Sequence, residues 1–86
     1  MLSNLRMDIR KVFGANVRRY RVAAGLSQEA VAERMGVDRA YVSSVERGAQ
    51  NVTLLSLWEV AQALRVRPAA LLDDTPEPSA ETPVPS

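Results

Sequence analysis

Residues 27–48, SQEAVAERMGVDRAYVSSVERG, limit the fold more than any other part of the chain. They hold two short apolar-periodic runs that meet at Gly36. Val31, Ala32 and Met35 share one face of the first run, and Tyr41, Val42 and Val45 share one face of the second. Ser27 and Asp38 stand where N-caps belong, and Gly36 and Gly48 stand where helices stop. Helices this short are not stable alone, so each must be held by packing. Two helices that cross steeply also need a small residue at their closest approach and a turn residue that tolerates positive φ. Ala32 and Gly36 meet these two needs.

The flanking sequence reads as more helix. Ile9, Val12, Phe13, Val17 and Tyr20, with Ala24, recur at three- and four-residue steps and predict an amphipathic helix ending at Gly25. Thr53 caps a fourth helix with an inward stripe of Leu54, Leu57, Val60, Ala61 and Leu64. Pro68 suits the first position of a short fifth helix ending near Leu72. No strand pattern is present, so the expected class is all-α. The expected organisation is an N-terminal extension over residues 1–8, one domain over 9–72, and a disordered tail over 73–86. The tail is rich in proline and acid and has almost no apolar residue to offset the cost of ordering. It reads either as regulatory or as an extension without a role.

With 86 residues the core is small, and with neither cysteine nor histidine it has no disulfide or zinc staple. That composition fits a reducing, cytoplasmic setting. No apolar run approaches membrane-spanning length, and MLSNLRMDIRK lacks the apolar core of a signal peptide, so no membrane partner is expected. Residues 1–72 carry all eleven basic side chains against six acidic ones, a net of +5, whereas residues 73–86 carry −4. A basic domain fits a polyanionic partner, but the same charge also serves solubility. The lack of cysteine, histidine and a glycine-rich phosphate loop argues against an enzyme, and no cofactor or metal is expected.

Two short helices joined at a tight turn form a helix-turn-helix, in which the second helix enters the DNA major groove. A plain helical hairpin is the other reading. GLSQEAVAERMGVDRAYVSSVERG followed by NVTLLSLWEVAQALRV resembles the phage repressor and Cro (Xre-type) helix-turn-helix family. Within it, DRAYVSSVERGAQNVTLLSL is most similar to the controllers of restriction–modification systems and related small bacterial regulators. The resemblance spans roughly residues 9–72 and rests on Gln28, Ala32, Gly36, Glu46, Gly48, Asn51, Thr53 and Leu54. It implies a five-helix lambda-repressor-like domain that binds operator DNA, usually as a dimer.

On that reading, Arg39, Ala40, Ser43 and Ser44 face the bases from the start of the third helix. Arginine matches guanine O6 and N7, alanine can only touch a thymine methyl, and serine bonds almost any base or phosphate. Arg39 could equally be a phosphate contact or a solvated charge. The resemblance places Gln28 on phosphate; Ser27, Arg47 and Asn51 are further phosphate candidates, with longer-range attraction from Arg18. Ala49 and Gln50 depart from the family, in which basic residues are common there, which lowers the expected charge contribution of that loop. The resemblance also implies an ion pair between Arg21 and Glu46; an exposed, unpartnered Glu46 is the alternative.

Leu55 and Trp58 fall outside the inward stripe of the fourth helix. With Val66, Leu71 and Leu72 they form a candidate homodimer interface, unless Trp58 packs on its own core. The expected function is a transcriptional regulator bound to double-stranded operator DNA, an inverted repeat, without chemistry. The alternative is an antitoxin or protein-interaction module with autoregulatory DNA binding. The sequence does not tell of a small-molecule effector.

Overall fold

The computed structural model describes residues 8–74. The N-terminal extension up to residue 7 and the tail from residue 75 lie outside the described residues. Four α-helices follow in order: α1 (Ile9–Ala23), α2 (Gln28–Met35), α3 (Arg39–Glu46) and α4 (Leu54–Leu64). A 3-10 helix, Pro68–Leu72, closes the described chain. Among the described residues there is no strand. The fifth helix is therefore not an α-helix. The turn closes through an i→i+3 bond, Ala70 N–H to Arg67 O at 2.9 Å, as is common in short helical pieces.

The caps set the helix starts. Asp8 accepts from Arg10 N–H at 3.0 Å, Ser27 from Ala30 N–H at 2.9 Å and Thr53 from Ser56 N–H at 3.0 Å. Asp38 occupies the N-cap position of α3 but makes no side-chain cap bond. Its contribution there is its charge at the positive end of α3. At the turn, Gly36 has φ 72°, and Val37 N–H reaches back to Ala32 O at 3.0 Å. A residue with a β-carbon is strained in that conformation.

The core joins Phe13 and Val17 of α1, Val31 and Ala32 of α2, Val42 and Val45 of α3, and Val60, Ala61, Ala63 and Leu64 of α4 with Leu71. Leu54 does not belong to the inward stripe: it is 85% exposed. Seven residues, nearly two turns, separate it from buried Ala61, so both share an azimuth, but nothing covers the first turn of α4 there. Ile9 is likewise exposed at the first turn of α1.

Three polar or small residues fix the packing. Gly14 lets α1 lie directly on the end of α3, where a β-carbon would collide with the backbone of Val45 and Glu46. Buried Asn16 donates both amide hydrogens to Leu71 O and Asp73 O, each at 2.9 Å, and accepts from Arg19 Nη2 at 2.8 Å. The 3-10 helix is thereby fastened to α1. Arg34 of α2 donates to Ala63 O of α4 at 2.7 Å, satisfying a carbonyl the helix end leaves open.

Candidate nucleic-acid interface

The turn between α2 and α3 consists of Gly36, Val37 and Asp38. Val42 and Val45 anchor α3 in the core, which turns Arg39 and Ala40 fully outward and leaves Ser43 half-buried beside them. Arg47, the residue after the helix, is exposed and donates to Ser43 Oγ at 2.7 Å. These four side chains lie on one edge of α3. Ser44 does not join them. It is buried, and its hydroxyl donates to Tyr41 O at 2.7 Å, so it is lost to base reading. The helical period leaves Ser44 between Ala40, four residues back, and Tyr41, three back, and the packing of the domain covers it on the Tyr41 side.

The start of α2 stands against this edge. Ser27 uses its oxygen as the cap acceptor, which leaves its hydroxyl hydrogen to give. Gln28 is half-buried and hydrogen-bonded in two directions. Its Oε1 accepts from Arg39 Nη1 at 3.0 Å, and its Nε2 donates to Glu46 Oε1 at 3.0 Å. Glu46 in turn accepts from Arg21 twice, Nε to Oε2 at 2.6 Å and Nη2 to Oε1 at 3.1 Å. Arg21 Nη1 also donates to Leu26 O at 2.9 Å. The Arg21–Glu46 pair is thus present, two-pronged and largely shielded from water. The hydrogen-bonded chain Leu26–Arg21–Glu46–Gln28–Arg39 ties α1, α2 and both ends of α3 together.

Charge is distributed to suit an anionic partner. Among the described residues, neither Arg39 nor Arg47 has a carboxylate partner; each faces an uncharged oxygen. Asn51 is exposed in the loop before α4. Arg18 is exposed too, but it lines a groove made only of α1 residues, Ala15, Arg19, Val22 and Ala23, and takes no part in the hydrogen-bonded chain. No group of residues suited to a metal ion occurs among the described residues, and no described helix is long and apolar enough to cross a membrane.

The outward face of α4 carries Leu55 and Trp58, at 65% and 51% exposure, and the uncovered first turn adds Leu54 beside them at 85%. Trp58 is therefore not a core residue of the single chain, and Leu54 is an addition that the stripe pattern hid. Val66 is half-buried against the core. Leu71 cannot serve an interface: its exposure is 0%, whereas Leu72 is 42% exposed. Successive side chains of a 3-10 helix step by about 120°, so with Leu71 in the core Leu72 leaves it. Leu72 faces a separate groove with Ile9, Phe13, Val52 and Leu57.

Gly14, Asn16 and Arg34 escaped the sequence reading. A glycine inside a helical pattern signals close packing. A lone asparagine three residues after Phe13 sits on the inward face, and both signals were legible. Arg34 gave none.

Comparison with known proteins agrees with this architecture. The helix-turn-helix family profile matches residues 17–71. The chain is 46% identical over 71 residues to the HTH-type transcriptional regulator y4dJ of Sinorhizobium fredii, covering 83% of this chain and 92% of that protein. The restriction–modification controller C.AhdI of Aeromonas hydrophila is 45% identical, with a TM-score of 0.69 over 72% of this chain and 94% of that one. The controller C.Esp1396I, solved as a tetramer on its natural 35 base-pair operator, is 26% identical, with a TM-score of 0.69 over 77% and 87%.

Proposed function

This chain belongs to the helix-turn-helix family of DNA-binding transcriptional regulators, and we propose that it controls transcription by occupying an operator as a symmetric oligomer, with no chemistry of its own. The observation that carries this is the outward edge of α3, which presents Arg39, Ala40, Ser43 and Arg47 without a carboxylate among them. Arg39 reads a guanine. Its contact to Gln28 uses one Nη1 hydrogen and leaves the Nε–Nη2 fork for O6 and N7. Ala40 and Ser43 lie against neighbouring bases. Ser27, Gln28, Arg47 and Asn51 contact phosphates, and Arg18 adds attraction at longer range.

One recognition helix reads only a few base pairs, so a second copy supplies the other half-site. The relative C.Esp1396I assembles on its operator as a tetramer. In this chain Leu54, Leu55 and Trp58, with Val66 at the margin, offer the apolar surface for pairing. Leu72 contributes from the edge of its own groove. Two-fold pairing places the recognition helices about 34 Å apart, one turn of DNA, and requires an inverted repeat. The protein acts in the cytoplasm, where the DNA is.

Selection of bound sequences from a random double-stranded pool tests this. Enrichment of an inverted repeat with a guanine at a fixed place in each half-site is expected. No enrichment, or enriched sites without symmetry, overturns it.

A further inference from the structure

The amide of Gln28 lies between a carboxylate and a guanidinium, and this has a directional consequence. A carboxylate only accepts and a guanidinium only donates. With Glu46 Oε1 on one side at 3.0 Å and Arg39 Nη1 on the other at 3.0 Å, only one orientation of the amide satisfies both neighbours. The NH2 must face Glu46 and the oxygen must face Arg39. Glu46 cannot turn away to relax this, because Arg21 holds both of its oxygens and its side chain is only 5% exposed.

We propose that Glu46 is a positioning residue for sequence discrimination, acting through the Gln28 amide on Arg39. Glu46 orients the amide, the amide oxygen holds one Nη1 hydrogen of Arg39, and the guanidinium is thereby set before DNA arrives. The arrangement removes part of the entropy cost that a long exposed side chain otherwise meets on binding. It leaves the second Nε2 hydrogen of Gln28 for a phosphate, so one amide serves the base contact and the backbone contact together. This inference rests on the reading that Arg39 contacts a base.

The polarity of the relay makes it testable. In Glu46→Gln, the shorter Arg21 contact, from Nε at 2.6 Å, keeps the amide oxygen in the place of Oε2, so the introduced NH2 takes the place of Oε1, which faces Gln28. Gln28 then flips to accept it and points its own NH2 at Arg39, where two donors face each other. Adding Gln28→Glu restores an acceptor toward both neighbours and returns the net charge of the natural chain.

The experiment uses the full chain and the selected operator, with each base pair replaced in turn, at one fixed salt concentration. In the natural protein, replacing the guanine read by Arg39 should weaken binding roughly 5- to 150-fold. Glu46→Gln should reduce that penalty to within about 3-fold, roughly 0.65 kcal/mol, and leave the penalties at other base pairs unchanged. Gln28→Met should do the same and keeps Glu46 paired with Arg21, so it carries the test if Glu46→Gln melts early. The double variant Glu46→Gln with Gln28→Glu should recover the penalty. Retention of the natural penalty in folded Glu46→Gln or in Gln28→Met overturns the proposal, as does failure of the double variant to recover it. Arg39→Ala separates the two readings. If it leaves every penalty intact, Arg39 does not read a base; if it abolishes one penalty that Glu46→Gln and Gln28→Met leave sharp, the relay alone is wrong.

Discussion

The α-carbon of Gly14 in α1 rests against the carbonyl oxygen of Val45 in α3, with no room for a β-carbon between them. The contact brings the first helix down on the end of the recognition helix. It sets how closely α1 packs on the end of α3. Gly14→Ala would gain up to about 1 kcal/mol of helix propensity. The atoms it meets are backbone, however, and cannot swing aside as a flexible side chain would. A net loss of about 1–3 kcal/mol is expected from overpacking, measured by thermal or urea unfolding. Operator affinity should fall further than the fraction unfolded explains, because α3 is displaced. Unchanged stability and affinity would mean that α1 sits farther from α3 than described.

The Arg21–Glu46 pair should behave as a shielded ion pair. Arg21→Met leaves the carboxylate of Glu46 with only the Gln28 amide as donor, and a loss of about 3–5 kcal/mol is expected. Replacing both residues by apolar ones of similar size should cost markedly less than Arg21→Met alone. A double-mutant cycle in denaturant reads the coupling directly. Additive losses would indicate that the two groups are solvated independently.

Leu71 and Leu72 provide a matched contrast. Leu71→Ala empties a fully buried site and should cost about 2–5 kcal/mol. Leu72→Ser, at 42% exposure, should leave the melting temperature of the isolated domain little changed and act on self-association instead. Equal losses in stability would mean that both side chains are covered in the single chain.

The face of α4 should govern assembly. Leu55→Ser with Trp58→Gln is expected to keep the helical spectrum and lower the oligomer fraction in sedimentation. Adding Leu54→Ser should lower it further, since all three side chains are more than half exposed in the single chain. Operator binding should become less cooperative in parallel. A folded variant that associates as before would move the interface to the groove of Ile9, Phe13, Val52, Leu57 and Leu72.

Asp8 provides a local pH probe. The side chain of Arg10 and then its backbone N–H donate to the carboxylate and lower its pKa from 3.8 to about 2. Because the folded value is depressed, the contribution of Asp8 to stability is fully present above about pH 4 and is lost as pH falls toward 2. Carbon-detected NMR titration should place the Asp8 midpoint near 2 in the natural chain and only part of the way back toward 3.8 in Arg10→Ala, which loses the guanidinium but keeps the backbone N–H that caps the carboxylate. The group is exposed, so the effect on global unfolding should be small.

The sequence by itself determined where the helices lie and how they start and stop. Ser27, Thr53 and Gly36 act through bonds to residues within five positions in the chain, so their roles are local and legible. Ala32 was legible as well, because a close helix crossing can be met there only by a small side chain. The inner face of α3 followed from its period. What the period conveys is an azimuth, and it does not say whether another element covers that azimuth. Only the tertiary structure decided that Leu54 is bare while Ala61 is buried, that Ser44 turns inward while Ser43 stays at the edge, and that Leu71 enters the core while Leu72 leaves it. Asn16 reaches residues 71 and 73 across more than fifty positions of sequence. The Gln28 amide bridges residues 18 and 11 positions away. Such groups are oriented by partners that the fold delivers, and hydrogen-bond direction is set only when donor and acceptor meet in space.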